Sequence, residues 1–209
     1  MAKPLVVVNF KTYKQGKKVV ELARKLKKVD KNIIVGIQAS DILEVVKATG
    51  LRVYAQHVDF MKKGRATGYI LPEAVKKDGA KGVFLNHSEH KLRFDVLKKT
   101  VMRCKKLGLK VLIFTSSLKE AIKVKKLGPD YLAFEPPELV AGKISVSKAK
   151  PRLIKNISKK LRYPFLVGAG IHSSEDVKIA MKLGARGIAV SSAITKSKTP
   201  GKVLKKLLS

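Results

Sequence analysis

Apolar positions along the chain change their period in a repeating order. Short runs with Val, Ile and Leu at adjacent positions read as strands buried on both faces. They are Leu5 to Phe10, Ile33 to Ile37, Val53 to Gln56, Gly82 to Leu85, Lys110 to Thr115, Tyr131 to Phe134, Pro164 to Val167 and Gly187 to Val190. Between these runs the period becomes helical. In the segment that opens at Gly16, Val19, Leu22, Leu26 and Val29 recur at spacings of three and four and form one apolar face. A glycine closes a helical segment just before a strand at Gly50, Gly79, Gly108, Gly128 and Gly184, and three of these five read Lys-Leu-Gly. Eight strands therefore alternate with roughly eight helices.

That alternation predicts right-handed βαβ units and a parallel sheet covered by helices. Periodicity alone leaves open whether the sheet closes into a barrel or stays open and doubly wound. Eight units in 209 residues favour closure, and no linker rich in Pro, Gly or Ser divides residues 1–209 into two domains. In such a sheet the carboxyl ends of the strands converge on one rim. Three short segments at strand ends would meet there: Asn9-Phe10-Lys11, Asn86-His87-Ser88-Glu89 and Glu135-Pro136-Pro137-Glu138. A lysine, a histidine and a glutamate far apart in sequence would then share one site. The longest irregular segments, His57 to Leu71 and Pro136 to Ser147, follow the third and sixth strands on the same rim.

Composition narrows the classes. The chain has no apolar stretch near the ~20 residues needed to span a bilayer, and its N-terminus runs directly into a Val-rich strand. A soluble, cytoplasmic protein without a membrane partner is the expectation. The single cysteine, Cys104, excludes an internal disulfide and a Cys-based metal cluster; its neighbours Val101, Met102 and Leu107 place it on a buried helical face. The formal charge of +31, from 46 Lys and Arg against 15 Asp and Glu, attracts polyanions and steers phosphorylated substrates. The basic residues are spread over helical segments such as Lys17 to Lys31, Lys98 to Lys110 and Lys119 to Lys126, as expected of solvated helix faces. Zinc-finger spacing and aromatic ribonucleoprotein motifs are both missing, so nucleic acid is expected to bind only non-specifically if at all.

The ordered motifs resemble the triosephosphate isomerase family, in its shorter archaeal form. The resemblance runs through Asn9-Phe10-Lys11-Thr12-Tyr13, Ala55-Gln56-His57-Val58-Asp59, Leu71-Pro72-Glu73-Ala74 and Leu85-Asn86-His87-Ser88-Glu89. It continues through Glu135-Pro136-Pro137-Glu138-Leu139, Val146-Ser147-Lys148-Ala149-Lys150-Pro151 and Gly168-Ala169-Gly170. It implies a closed eight-stranded parallel β/α barrel that interconverts dihydroxyacetone phosphate and glyceraldehyde 3-phosphate through an enediolate. That reaction belongs to glycolysis and gluconeogenesis and uses no metal or organic cofactor.

By this resemblance Glu135 is the base that moves the proton between adjacent carbons, and His87 is the electrophile that polarises the carbonyl. A neutral histidine and a base secluded by lid closure are known features of the family and are taken over with it. Locally, Ser88 is expected to cap a helix starting near Glu89, whose N-terminus would disfavour protonation of His87. Lys11 supplies a fixed positive charge to phosphate and enediolate, Asn9 orients oxygen atoms, and Glu89 pairs with Lys11.

The resemblance places phosphate-binding backbone donors at Val140 and Ala141 in the sixth loop, Gly170 in the seventh, and Ser191 with Ser192 in the eighth. Here the chain departs from the family pattern. The lid that commonly ends Gly-Thr-Gly reads Ala141-Gly142-Lys143, and the eighth loop reads Ser191-Ser192-Ala193. Thr67-Gly68 resembles the loop tip that reaches into a neighbouring subunit, implying a homo-oligomer, either a dimer or a tetramer. Two other classes remain open from the residues alone: a different phosphate-handling barrel enzyme, and a catalytically weakened barrel that binds polyanions.

Overall fold

The computed structural model describes residues 3–135 and 151–209. Its eight strands are β1 (Leu5–Asn9), β2 (Ile34–Ile37), β3 (Arg52–Ala55), β4 (Gly82–Leu85), β5 (Lys110–Thr115), β6 (Tyr131–Phe134), β7 (Phe165–Val167) and β8 (Gly187–Val190). They pair in sequence order, all parallel, and β1 closes on β8 with Val7 opposite Ala189. The choice between barrel and open sheet is thereby decided in favour of the barrel. The helices are α1 (Lys17–Lys27), α2 (Ile42–Thr49), α3 (Pro72–Lys77), α4 (Phe94–Lys106), α5 (Leu118–Lys125), α6 (Pro151–Leu161), α7 (Ser174–Lys182), α8 (Ser192–Thr195) and α9 (Pro200–Leu208).

Strand alternation sorts the apolar residues into two cores. Val6 and Val8 face outward and join Leu22, Leu26, Val101, Ile157 and their neighbours between strands and helices. Val7, Ile34, Tyr54, Phe84, Leu112, Phe114, Ala133, Leu166 and Ala189 fill the barrel interior. The aromatic rings there form a ladder, with centroids 5.9 Å apart from Tyr54 to Phe84 and 5.3 Å from Phe84 to Phe114. Gly36 makes room for it, because a Cβ at that position would lie 1.9 Å from the Phe84 ring. The ladder ends at the rim formed by the carboxyl ends of the strands, where His87 meets Phe114 edge-on at 4.8 Å.

The helix stops behave as their glycines require. Gly50, Gly79, Gly108, Gly128 and Gly184 all have positive φ, a region that costs side chains with a Cβ energy. Cys104 is fully buried, and burial pushes its thiol up to about 12, which makes it a packing residue. Its neighbour Met102 departs from the expectation: it is 62% exposed, because it lies two residues from Cys104 and so on another side of the helix.

Part of the positive charge has a structural use. Lys76 in the last turn of α3 donates to the carbonyl of Leu107 after α4, Lys105 of α4 to Gly128 after α5, and Lys125 of α5 to Leu161 at the end of α6, at 2.7, 2.9 and 2.6 Å. Each ammonium thus satisfies a carbonyl at the end of the following helix, where intrahelical donors run out and the helix dipole is negative. The same brace recurs in three successive units. It ties each repeat to the next on the side of the barrel opposite the carboxyl ends of the strands.

Candidate active site

Closure of the barrel brings the ends of β1, β4 and β6 to one cavity of about 100 Å³, whose walls include Asn9, Lys11, His87, Glu135, Gly170, Ser191 and Ser192. Of the residues singled out from sequence, these seven lie together, and Glu89 stands beside them through its contact with Lys11. Val140 and Ala141 lie outside the described residues.

Lys11 follows β1 in a left-handed conformation, with φ of 48°. A residue with a Cβ holds that conformation only where its surroundings enforce it. Asn9 Oδ1 accepts the Lys11 backbone N–H at 2.9 Å, and Gln56 Nε2 donates to the Lys11 carbonyl, also at 2.9 Å. The Gln56 amide further lies 3.1 Å from the Gly36 carbonyl and 3.3 Å from Asn9 Oδ1, so β1, β2 and β3 all hold the turn. The result aims Lys11 Nζ across the rim to Glu89 Oε1 at 2.7 Å. Glu89 is 60% exposed and Lys11 only 16%, so the pair orients the lysine and adds little stability.

His87 sits two residues beyond β4 and is buried. Its Nδ1 accepts the backbone N–H of Glu89 at 3.1 Å, which leaves the ring proton on Nε2. That nitrogen faces Glu135 Oε2 at 3.4 Å. Burial pushes the histidine down to about 4, while Glu89 acts in the opposite direction and Lys11 and Lys91 reinforce the burial. The ring is therefore a neutral donor. The cause differs from the expectation: no helix begins at Glu89, residues 88–90 form a turn, and α4 starts only at Phe94. Desolvation and nearby lysines, together with a single turn N–H, take the place of a capped helix end.

Glu135 emerges from β6 with its backbone N–H on the Thr115 carbonyl at 2.8 Å. Burial pushes its carboxyl up to about 8, with Lys11 and Lys91 lowering it and Glu89 raising it. Its Oε2 is buried without a hydrogen-bond partner. A buried carboxylate oxygen without a hydrogen bond is a strong proton acceptor when ionised. Gly168 shapes its seat, since a Cβ there would lie 2.4 Å from Glu135 Cγ and 2.7 Å from Oε1.

Opposite these groups, Gly170 has φ of 62° and the backbone N–H groups of Ser192 and Ala193 precede the first bond of α8, from Ile194 N–H to the Ser191 carbonyl. Tyr13 also lines the cavity and carries Lys196 Nζ over its ring at 4.5 Å. A second cavity of about 440 Å³ adjoins Lys11 on its other side, lined by Gln38, Gln56, His57, Glu89 and His90 among others. His57 and His90 stack there at 4.2 Å. Among the described residues no cluster of three or more His, Cys, Asp or Glu is arranged to hold a metal.

Sequence reasoning assigned no role to Gln56, Gly168 or Glu120. Gln56 and Gly168 lie inside recognisable motifs, but their roles depend on partners in other strands. Glu120 carries no local signal at all, since a glutamate in the first turn of a helix is ordinarily a solvated residue that favours the dipole.

Comparison with known proteins agrees with this geometry. A family model described as triosephosphate isomerase matches residues 4–207. The triosephosphate isomerase of Saccharolobus solfataricus is 42% identical, with the alignment covering 98% of this chain and 94% of that protein. Those of Sulfurisphaera tokodaii and Methanocaldococcus jannaschii are 41% and 38% identical, each across 98% of this chain. With a barrel closed in sequence order, motifs seated on the expected strand ends, and likeness over nearly the whole length, the chain belongs to the triosephosphate isomerase family.

Proposed function

We propose that the protein interconverts dihydroxyacetone phosphate and glyceraldehyde 3-phosphate as a single-domain enzyme, with Glu135, His87, Lys11 and Asn9 as its working residues. The observation that carries this reading is the convergence of Lys11, neutral His87 and buried Glu135 on one small cavity. The carboxylate of Glu135 takes a proton from the carbon next to the carbonyl, and the electron pair moves to form the enediolate. His87 Nε2–H donates to the oxygen on which charge develops, and Lys11 balances that charge together with the phosphate. The proton returns from Glu135 to the neighbouring carbon, while the hydroxyl proton of the first carbon's oxygen passes by way of His87 Nε2 to the former carbonyl oxygen, so base and histidine are both regenerated and no cofactor is consumed. Gly170, Ser191 and Ser192 hold the phosphate through backbone N–H groups, with Val140 and Ala141 completing the set.

Purified protein supplied with dihydroxyacetone phosphate should form glyceraldehyde 3-phosphate, read through a coupled dehydrogenase. In the same assay His87→Gln keeps a hydrogen-bonding side chain but loses the aligned Nε2–H. It should lower kcat by about 10²-fold while KM changes little. A change confined to KM would make His87 a binding residue instead.

We also propose that the protein works as a homo-oligomer. The loop after β3 is pinned at its base, with Asp59 bonded to the Ile70 N–H at 2.8 Å through its side chain and to the Ile70 carbonyl at 2.8 Å through its backbone. Its tip presents Thr67, Gly68 and a half-exposed Tyr69, and the cavity beside Lys11 has the size to receive such a tip from another copy. Sedimentation should show dimers or tetramers, more of them as ionic strength rises from about 0.05 to about 0.5 M, because salt screens the repulsion of +31 charges. Monomers at every salt concentration would end this proposal. Cytoplasmic location fits the same reading, and no described helix is long and apolar enough to cross a membrane. Nucleic acid is bound, if at all, only through the general positive field.

A further inference from the structure

The residue just before His87 carries a conformational cost. Asn86 is buried and has φ of 60°, a left-handed conformation that asparagine tolerates better than most residues but that still needs support. Support comes from both of its amide hydrogens and its carbonyl. Nδ2 donates to the Phe114 carbonyl at 2.9 Å and to Glu120 Oε1 at 2.8 Å, while Oδ1 accepts the Leu92 backbone N–H at 3.1 Å. Asn86 thus joins three places: the end of β5, the first turn of α5, and the turn that follows His87.

Glu120 is itself held on several sides. Its Oε2 accepts the Ser116 N–H at 2.7 Å and the Ser116 hydroxyl at 2.9 Å, and Lys91 Nζ lies 3.0 and 3.2 Å from its two oxygens. Burial acts to raise its carboxyl, but the hydrogen bonds from Ser116, Asn86 and Lys91 outweigh burial and hold it below the usual range. It is a firmly ionised anchor. Phe114, whose carbonyl receives Asn86, is also the residue whose ring packs on the His87 imidazole. Backbone and ring of the electrophile are therefore referenced to the same strand end. Lys91, which Glu120 fixes in place, favours the neutral form of His87.

We propose that Glu120 is a positioning residue for catalysis, acting through Asn86 to hold the His87 backbone in place. The proposal rests on the isomerase reading above. Glu120 is not among the walls of the reaction cavity and need not touch substrate. Its effect is on alignment, where misplacement of a reacting group by about 1 Å can cost about 10²-fold in rate.

The test compares Glu120→Gln, Glu120→Ala, Asn86→Gly and the double variant Glu120→Ala with Asn86→Gly. Glycine accepts the left-handed backbone but makes no clamp, so Asn86→Gly isolates the hydrogen bonds from the strain. Each single Ala or Gly variant should lose about 10- to 100-fold in kcat with KM within about twofold. Glu120→Gln, which keeps one acceptor and the shape, should lose less. The double variant should be scarcely worse than the worse single variant, because the two residues act as one unit.

Nitrogen NMR of the free protein labelled at histidine gives a readout independent of turnover. In wild type the His87 Nε2–H tautomer should be uniform and stay neutral to about pH 4. In Glu120→Ala and Asn86→Gly, where the turn holding Nδ1 against the Glu89 N–H is loosened, it should show tautomer exchange. Wild-type kcat and an unchanged His87 spectrum in folded Glu120→Ala and Asn86→Gly would overturn the positioning role while leaving the isomerase reading intact. Absence of triose phosphate turnover by wild type would sink the isomerase reading, and the NMR result would then judge the clamp separately. A loss of kcat that merely follows a fall in thermal stability, with the His87 spectrum unchanged at the assay temperature, would also count against it.

Discussion

Replacing Glu135 with Gln is expected to lower kcat by about 10³-fold or more while leaving the barrel folded and phosphate still bound. The amide matches the carboxylate in size and fits the seat left open by Gly168, so packing is kept. What disappears is the carboxylate proton acceptor, including the Oε2 that has no hydrogen-bond partner. The pH dependence provides a second check. Burial raises Glu135 to about 8 in the free protein, so kcat/KM of wild type should climb as pH rises toward that value, and the Gln variant should lack this limb.

Stability should follow the same titration with a definite sign. A carboxyl whose folded-state value is raised contributes stability that is full below its unfolded value and is lost as pH rises through about 8. Above that pH the Gln variant should unfold at or above the wild-type temperature, because the cost of a buried charge is gone. His87, pushed down to about 4, acts oppositely: its contribution is present above its ordinary value of 6.5 and is lost as pH falls through about 4. Near-normal turnover by a folded Glu135→Gln protein would remove Glu135 from the role of base.

Lys11→Met should be at least as damaging to substrate capture, with kcat/KM down about 10³-fold. An apolar side chain of similar length leaves the phosphate dianion and the enediolate without the fixed ammonium on their side of the cavity. It also frees Glu89, whose carboxylate now stands 2.7 Å from Lys11 Nζ, to repel the incoming anion. Both effects have the same sign. Lys11→Arg should recover only part of the loss, since a planar guanidinium does not occupy the position of a compact ammonium. Calorimetry with inorganic phosphate should show weakened binding to Lys11→Met, and wild-type affinity there would move the phosphate site away from the lysine.

The left-handed conformation of Lys11 carries an energetic cost. Its left-handed backbone is maintained by Asn9 and Gln56, which bond the N–H and the carbonyl of the same residue. Stability is thus spent on aiming one charge. The same arrangement occurs at Asn86, where a second left-handed residue precedes the histidine and is again secured by side-chain hydrogen bonds. Two of the three non-glycine residues with positive φ among the described residues flank the proposed chemistry.

Several features were legible before any tertiary contact was known. The period of apolar positions and the glycine stops located the eight strands to within a residue at either end, because a backbone's choice between strand and helix follows from side-chain spacing and local φ preferences. The ordered motifs at the strand ends named the lysine, the histidine and the glutamate. Closure of the sheet was not legible from periodicity, since β1 pairs with β8 across almost the full length of the chain. The same limit applies to the neutrality of His87, which comes from burial and the lysines around it where a helix N-terminus was expected. Met102 and Cys104 differ by two positions, yet one is exposed and the other buried, because helix rotation decides the face. Gln56 on Lys11, Gly168 under Glu135 and Glu120 behind Asn86 are contacts between distant segments. A sequence pattern encodes which face of an element is apolar, whereas which residue meets which across that face is set only when all eight strands close together.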